Sequence, residues 1–163
     1  MVIVVMGVSG TGKSTVGGSL SDQLGLPFID ADDFHPEVNK AKMQSGTALT
    51  DEDRWPWLQT LASELARYEQ QTGVVLACSA LKESYRKVLS ANNTLPIKWV
   101  VLTGSFELLS ARLSARVNHF FDGRLLKTQL DTLEVPGYGI KIDVEKPITA
   151  VIQCAETYVN QQS

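Results

Sequence analysis

Two cysteines in 163 residues, Cys78 and Cys154, are too few for a disulfide framework or a cysteine-ligated metal cluster. Cys78 closes an apolar run and Cys154 falls in a helical pattern, so both are expected to be buried free thiols. No apolar run approaches the roughly 20 residues that a membrane-spanning helix needs. The N-terminus has no basic segment ahead of its first apolar stretch, which argues against a secretory signal. Basic residues are also short, with 15 Lys and Arg against 18 Asp and Glu and a net charge of −3. That balance argues against nucleic-acid and membrane partners, so any cationic site must be local. Repeats, low-complexity tracts and linkers are missing too, and a chain of this length fits one domain. A cytoplasmic location is the expectation.

What is present is concentrated near the start. Gly7-Val8-Ser9-Gly10-Thr11-Gly12-Lys13-Ser14 follows the apolar run Val2–Met6 and matches the phosphate-binding pattern G-x-x-x-x-G-K-[ST] at every fixed position. Its glycines let successive backbone N–H groups turn into one concavity. A helix starting near Lys13 adds its unpaired amides and positive dipole end. Residues Gly7 to Thr15 are therefore the expected phosphate contacts. Lys13 can reach the β- and γ-phosphates, and the Ser14 hydroxyl can ligate Mg²⁺. The bland alternative is a glycine-rich turn that binds nothing. The full motif between a strand and a helix favours a nucleoside triphosphate.

Strand and helix patterns alternate behind the loop. Strands are expected at Val2–Met6, Pro27–Asp30, Val74–Cys78, Lys98–Leu102 and Ile140–Asp143. Helices are expected from Lys13 to Gly25, Pro36 to about Gln44, Glu83 to Leu89, Ser105 to about Arg116, and from Pro147 onward. Another follows the capping-box pattern Thr50–Asp53, with Pro56 in its first turn and Trp57, Leu61 and Leu65 in its core stripe. Val117 to Leu126 lacks a clear period. The alternation predicts an α/β fold, a parallel sheet with right-handed crossovers.

The second strand ends in Asp30, with Asp32 two residues on. If the chain stays extended there, both carboxylates point the same way. One could support Mg²⁺ and the other take a proton from an attacking hydroxyl. The third strand ends in Cys78-Ser79 without a carboxylate, and no Asn-Lys-x-Asp guanine signature occurs, so a GTPase switch is not expected.

The chain also resembles a known family. His35-Pro36-x-x-Asn39-x-x-Lys42-Met43-x-x-Gly46, then Leu49-x-Asp51-x-Asp53-Arg54-x-Pro56-Trp57-Leu58, are similar to the gluconokinase family. So are Cys78-Ser79-Ala80-Leu81-Lys82 with Tyr85-Arg86, and Arg112-Leu-x-x-Arg116-x-x-His119-Phe120 followed by Leu125-Leu126 and Gln129. The resemblance implies a P-loop kinase fold with a five-stranded parallel sheet flanked by helices, a mobile lid at about 117–126, and a homodimer. It implies transfer from ATP to D-gluconate, giving 6-phosphogluconate, with Asp32 as general base and Asp30 and Ser14 toward Mg²⁺.

The residues weigh as follows. Arg54 could recognise a carboxylate or pair on the surface with Asp51 or Asp53. Lys82 and Arg86, four apart on one helical face, could bind substrate or be solvated charges. His35 could bond sugar hydroxyls or cap a helix. Arg116 is expected on the phosphates and Arg112 over the adenine, the alternative being an amphipathic helix with a charged outer face. His119 could contact substrate or serve as a hinge, and Phe120 and Phe121 could cover the closed site. Two rival functions remain: a kinase of another small hydroxylated acid such as shikimate, and a nucleotide-binding switch without catalysis.

Overall fold

Strand β1 (Val2–Met6) is buried along its whole length and sits mid-sheet, where both edges are paired. The structure, a computed structural model, describes residues 1–116 and 123–161. Its sheet is parallel and five-stranded, in the order β2-β3-β1-β4-β5. The other strands are β2 (Phe28–Asp30), β3 (Val74–Ala77), β4 (Lys98–Thr103) and β5 (Ile140–Asp143). Helices α1 (Lys13–Leu24), α2 (Glu37–Gln44), α3 (Asp51–Glu69), α4 (Glu83–Ser90), α5 (Phe106–Ser114), α6 (Gly123–Thr132) and α7 (Ile148–Gln161) flank it, with a 3₁₀ turn at Ala31–Phe34.

The period of two along β1 divides the core. Val2, Val4 and Met6 face α3 and its Trp57, Leu58, Leu61 and Leu65. Ile3 and Val5 face the opposite layer, with Val16 and Leu20 of α1, Leu109 of α5 and Val151 of α7. A strand covered on both faces has to be apolar throughout, which is why Val2–Met6 reads as a continuous run.

Backbone chemistry sets the element ends. Thr50 and Asp53 form a complete capping box at the start of α3. Gly25 closes α1 in the left-handed region at φ 67°. Pro56 is the sixth residue of α3 rather than part of its first turn. Glu52 and Pro56 are both exposed, so water can take the carbonyl that the proline leaves unpaired. Helix α6 was not expected from the pattern; it begins at Gly123, inside the stretch that lacked a period. Cys78 is buried and Cys154 only partly so, and both are free. Among the described residues, no helix is long and apolar enough to cross a membrane.

Candidate active site

The carboxyl end of the central strand carries the phosphate loop. Gly7 has φ 154°, and a Cβ there would lie 2.7 Å from the Leu102 carbonyl oxygen and 2.8 Å from Thr11 Oγ1. Only glycine lets β1 turn so close against β4. Gly12, at φ 91°, is the cap residue of α1, whose first turn contains no acid to compete for an anion. Thr11 Oγ1 donates to the Val8 carbonyl at 2.8 Å and braces the loop. Lys13 Nζ donates to the carbonyls of Gly7 at 2.9 Å and Val8 at 3.1 Å.

Asp30 and Asp32 line the same cavity of about 330 Å³ as Lys13 and Ser14. They reach it differently from the extended geometry expected. Asp30 ends β2, and its carboxylate accepts from the Asp32 N–H at 2.9 Å, capping the 3₁₀ turn that begins at Ala31. Local side-chain capping outcompetes extension here. The Trp57 indole N–H donates to the Ala31 carbonyl at 2.7 Å, tying that turn to α3. Asp32 itself stays exposed. Protein packed around its carboxyl nevertheless raises its pKa, with the charge of Asp30 adding to the effect and Lys13 opposing it. Burial lowers the Lys13 pKa. Burial also pushes the Cys78 thiol up to about 12, so it is neutral near pH 7 and the carboxylates carry the charge that offsets Lys13.

A second cavity, about 760 Å³, adjoins the first and shares Ser79 and Gln129 with it. Its charged lining is Arg54 and Lys82 with Asp51 and Glu52, Tyr85 and Thr128 are among its other polar groups, and Trp57, Leu58 and Leu125 supply much of its apolar wall. Arg54 Nη1 donates to the Leu49 carbonyl at 2.9 Å and to the Tyr85 hydroxyl at 3.3 Å, with the guanidinium 5.5 Å from the Tyr85 ring centre. Neither acid considered as its partner takes it up. Asp53 binds Lys42 at 2.9 Å, which with the Thr50 N–H lowers its pKa to about 2. Asp51 accepts from Tyr85 at 2.5 Å and from Lys82 at 3.2 Å, and those bonds hold its pKa down. These hydrogen bonds of Arg54 end on neutral oxygens, and the residue lines the cavity.

A polar cup with a phosphate-loop lysine, beside a larger cavity that Arg54 and Lys82 line together with Asp51 and Glu52, suggests a kinase, and similarity to known proteins narrows it. Residues 2–136 match a family model described as an AAA domain. A probable gluconokinase of Xenopus tropicalis is 44% identical, over 99% of this chain and 95% of its own length. The thermoresistant gluconokinase of Escherichia coli K12 is 41% identical, over 93% of this chain and 89% of its own. The chain belongs to the gluconokinase family. A crystal structure of a gluconokinase from Sinorhizobium meliloti 1021 superposes with a TM-score of 0.90 at 41% identity, over 99% of this chain and 92% of that one. A shikimate kinase from Aquifex aeolicus, at 18% identity and a TM-score of 0.61, shares the fold alone.

Other residues that the gluconokinase resemblance singled out are distributed unevenly. Lys82 lines the second cavity, but Arg86 does not. The four-residue spacing fails because Lys82 is the cap residue of α4, in extended conformation at φ −108° and ψ 148°. Arg86 is 2% exposed and donates to the carbonyls of Ala80 and Glu134, each at 2.7 Å, and to Glu83 and Tyr138 at 3.1 Å. It is not a solvated charge, and its donors are directed at protein oxygens. It secures the loop after β3, where Ala80 sits at φ 45°.

His35 is buried, stacked on Trp57 at 4.1 Å between ring centres, with Asn39 Nδ2 3.3 Å from its Nδ1. It ends the 3₁₀ turn and lines neither cavity. Burial, followed by the charges of Arg54 and Lys40, lowers its pKa. Arg116, exposed just past α5, lines the phosphate cavity. Arg112 donates to the Val144 carbonyl beyond β5 at 2.5 Å. His119, Phe120 and Phe121 lie outside the described residues, as does the 117–122 part of the expected 117–126 lid, whose last four residues open α6.

Two participants carried no expected role. Trp57 was read as core, yet its N–H positions the Asp32 turn. Gln129 accepts from the Ser9 N–H at 2.8 Å across 120 residues of chain. Its place at the end of the family motif was the one sequence signal for it.

Proposed function

We propose that the chain transfers the γ-phosphoryl group of ATP to the terminal hydroxyl of D-gluconate, giving ADP and 6-phospho-D-gluconate. One observation carries the reading: Asp32 and Lys13 line a phosphate-sized cup that adjoins a larger cavity bearing Arg54 and Lys82. Membership of the gluconokinase family supports it.

The acceptor's carboxylate lies against Arg54 and Lys82, a planar fork and a point charge, while Thr128 and Tyr85 offer partners to its hydroxyls. That anchoring aims the far end of the polyol at the cup. Asp32 takes the proton of the attacking hydroxyl, and its raised pKa suits a base that must hold it. The alcohol oxygen bonds to the γ-phosphorus as the bond to the β–γ bridging oxygen breaks, and ADP leaves. Lys13 exchanges its two carbonyl partners for phosphate oxygens. Arg116 adds positive charge where the equatorial oxygens gather it, and Arg112 flanks the adenine end.

Mg²⁺ fits this donor set. Ser14 and Asp30 present hard oxygens in the cup, and no cluster of three acidic, His or Cys residues among the described residues could hold a metal on protein alone. That suits an ion that keeps phosphate oxygens and water as most of its ligands. When bound, it neutralises the charge of the phosphates. A cytoplasmic homodimer accompanies this reading.

An ADP-release assay across D-gluconate, its epimers and shikimate provides the test. Turnover with gluconate at least tenfold above the other acids is expected. Turnover on shikimate alone, or nucleotide binding with no acid-stimulated turnover, would overturn the reading.

A further inference from the structure

Among the phosphate-loop amides, the Ser9 N–H already has a partner in another element. It donates to Gln129 Oε1 at 2.8 Å, and Gln129 belongs to α6, whose residues Leu125, Thr128 and Thr132 wall the acceptor cavity. Gln129 is half-buried and lines both cavities, at the seam where they meet. A phosphate oxygen seated in the loop competes for the same donor, because an N–H has one hydrogen to give.

We infer that Gln129 couples the two cavities. On this account, which rests on the kinase reading above, triphosphate binding displaces Oε1 from Ser9, and the freed carboxamide turns to bond an acceptor hydroxyl. Nucleotide then tightens acceptor binding, and by linkage the acceptor tightens nucleotide to the same factor. Gln129 is a positioning residue: its amide neither donates to nor accepts from the transferred group. It discriminates between loaded and unloaded loops, so the acceptor hydroxyl is held only when there is a phosphoryl group to receive.

Calorimetric titrations of the full chain and of Gln129→Met, which keeps the length and loses the hydrogen bonds, test this. A non-hydrolysable ATP analogue with Mg²⁺ is the nucleotide probe and D-gluconate the acceptor probe. The wild type should bind gluconate about 2- to 12-fold more tightly with analogue present, the span of one net hydrogen bond. In Gln129→Met that factor should fall to about one. The variant should also bind the analogue alone more tightly than wild type, since Ser9 no longer exchanges a partner. Gln129→Asn, one methylene short, should not restore the coupling. An unchanged coupling factor, or analogue affinity equal to wild type, would overturn the inference. The analogue arm needs no acceptor. Tighter analogue binding by the variant together with a wild type blind to gluconate would therefore sink the gluconate reading while sustaining the displacement of Gln129. Matching thermal midpoints would show that both proteins are folded.

Discussion

Arg86 Nη1 donates to the Ala80 carbonyl at 2.7 Å, so a buried guanidinium holds in place the one described non-glycine residue with positive φ. Ala80 follows Ser79, which both cavities share, and precedes the Leu81-Lys82 turn into α4. A left-handed alanine costs about 1 kcal/mol or more and persists only where surroundings dictate it. Here the dictating group is the arginine.

Replacing Arg86 with Ala leaves the buried Ala80 carbonyl and the part-buried Glu134 carbonyl without their donor. A loss of about 3 kcal/mol is expected, the scale of breaking a buried charged hydrogen-bond set. Urea unfolding followed by circular dichroism measures it. A midpoint within experimental error of wild type would mean that Arg86 is dispensable to the loop.

Asp32→Asn should lower kcat by about two to four orders of magnitude, the range for a general base, with the KM values less affected. The raised pKa of Asp32 also fixes two signs. The acid limb of kcat/KM, which reports the free enzyme, should fall at a higher pH than an ordinary carboxylate would give, because the base must be ionised. A carboxyl whose pKa rises on folding binds its proton more tightly in the native state. Its ionisation therefore weakens the fold as pH climbs through the native value, and the penalty vanishes below the unfolded one. Asp32→Asn should accordingly gain stability relative to wild type near pH 7 and lose that advantage below about pH 4. Parallel Tm measurements at the two pH values decide it; an advantage that grows with acid contradicts the assignment.

Arg54→Leu should raise the KM for gluconate by about 10- to 150-fold, the equivalent of one or two charged hydrogen bonds, and leave the KM for ATP within about twofold. Initial-rate kinetics with each substrate varied in turn separate the two. A rise confined to ATP would place Arg54 on the nucleotide.

Trp57→Phe keeps the ring in the core but removes the indole donor to Ala31. The orphaned carbonyl should cost about 1–3 kcal/mol. Loosening of the Asp32 turn should also lower kcat by more than it changes either KM. Unfolding curves and steady-state rates on one preparation test both, and an unaltered kcat would show that the 3₁₀ turn holds itself.

The fold was legible where patterns are local. A phosphate loop, a capping box and strands buried on both faces each leave a signature within ten residues, and all stand at or within a few residues of the positions expected. The site was legible as to which residues cluster at the cup, since Lys13, Ser14, Asp30 and Asp32 do share a cavity. What escaped depends on distance in the chain or on conformations the residue types do not announce. Arg86 looks like a surface charge until α4 packs it against the carbonyls of Ala80 and Glu134. His35 reads equally as a sugar ligand or a helix cap, and nothing in the sequence announces that it stacks on Trp57. The shared direction of Asp30 and Asp32 was conditional on residues 30 to 32 staying extended, and the Asp30 carboxylate instead folds the next residues into a turn. Helix α6 is hard to read because it opens on Gly123, a poor helix former, and sets the exposed Leu125 beside the buried Leu126.

The larger cavity is assembled from residues 43–85 and α6, whereas the smaller cup is built from the phosphate loop, the head of α1, Asp30 and Asp32, the end of β3 and Arg116. The two cavities are thus separate castings joined at Ser79 and Gln129. Redesigning the chain for a different sugar acid should be a matter of recutting the first casting around an untouched second.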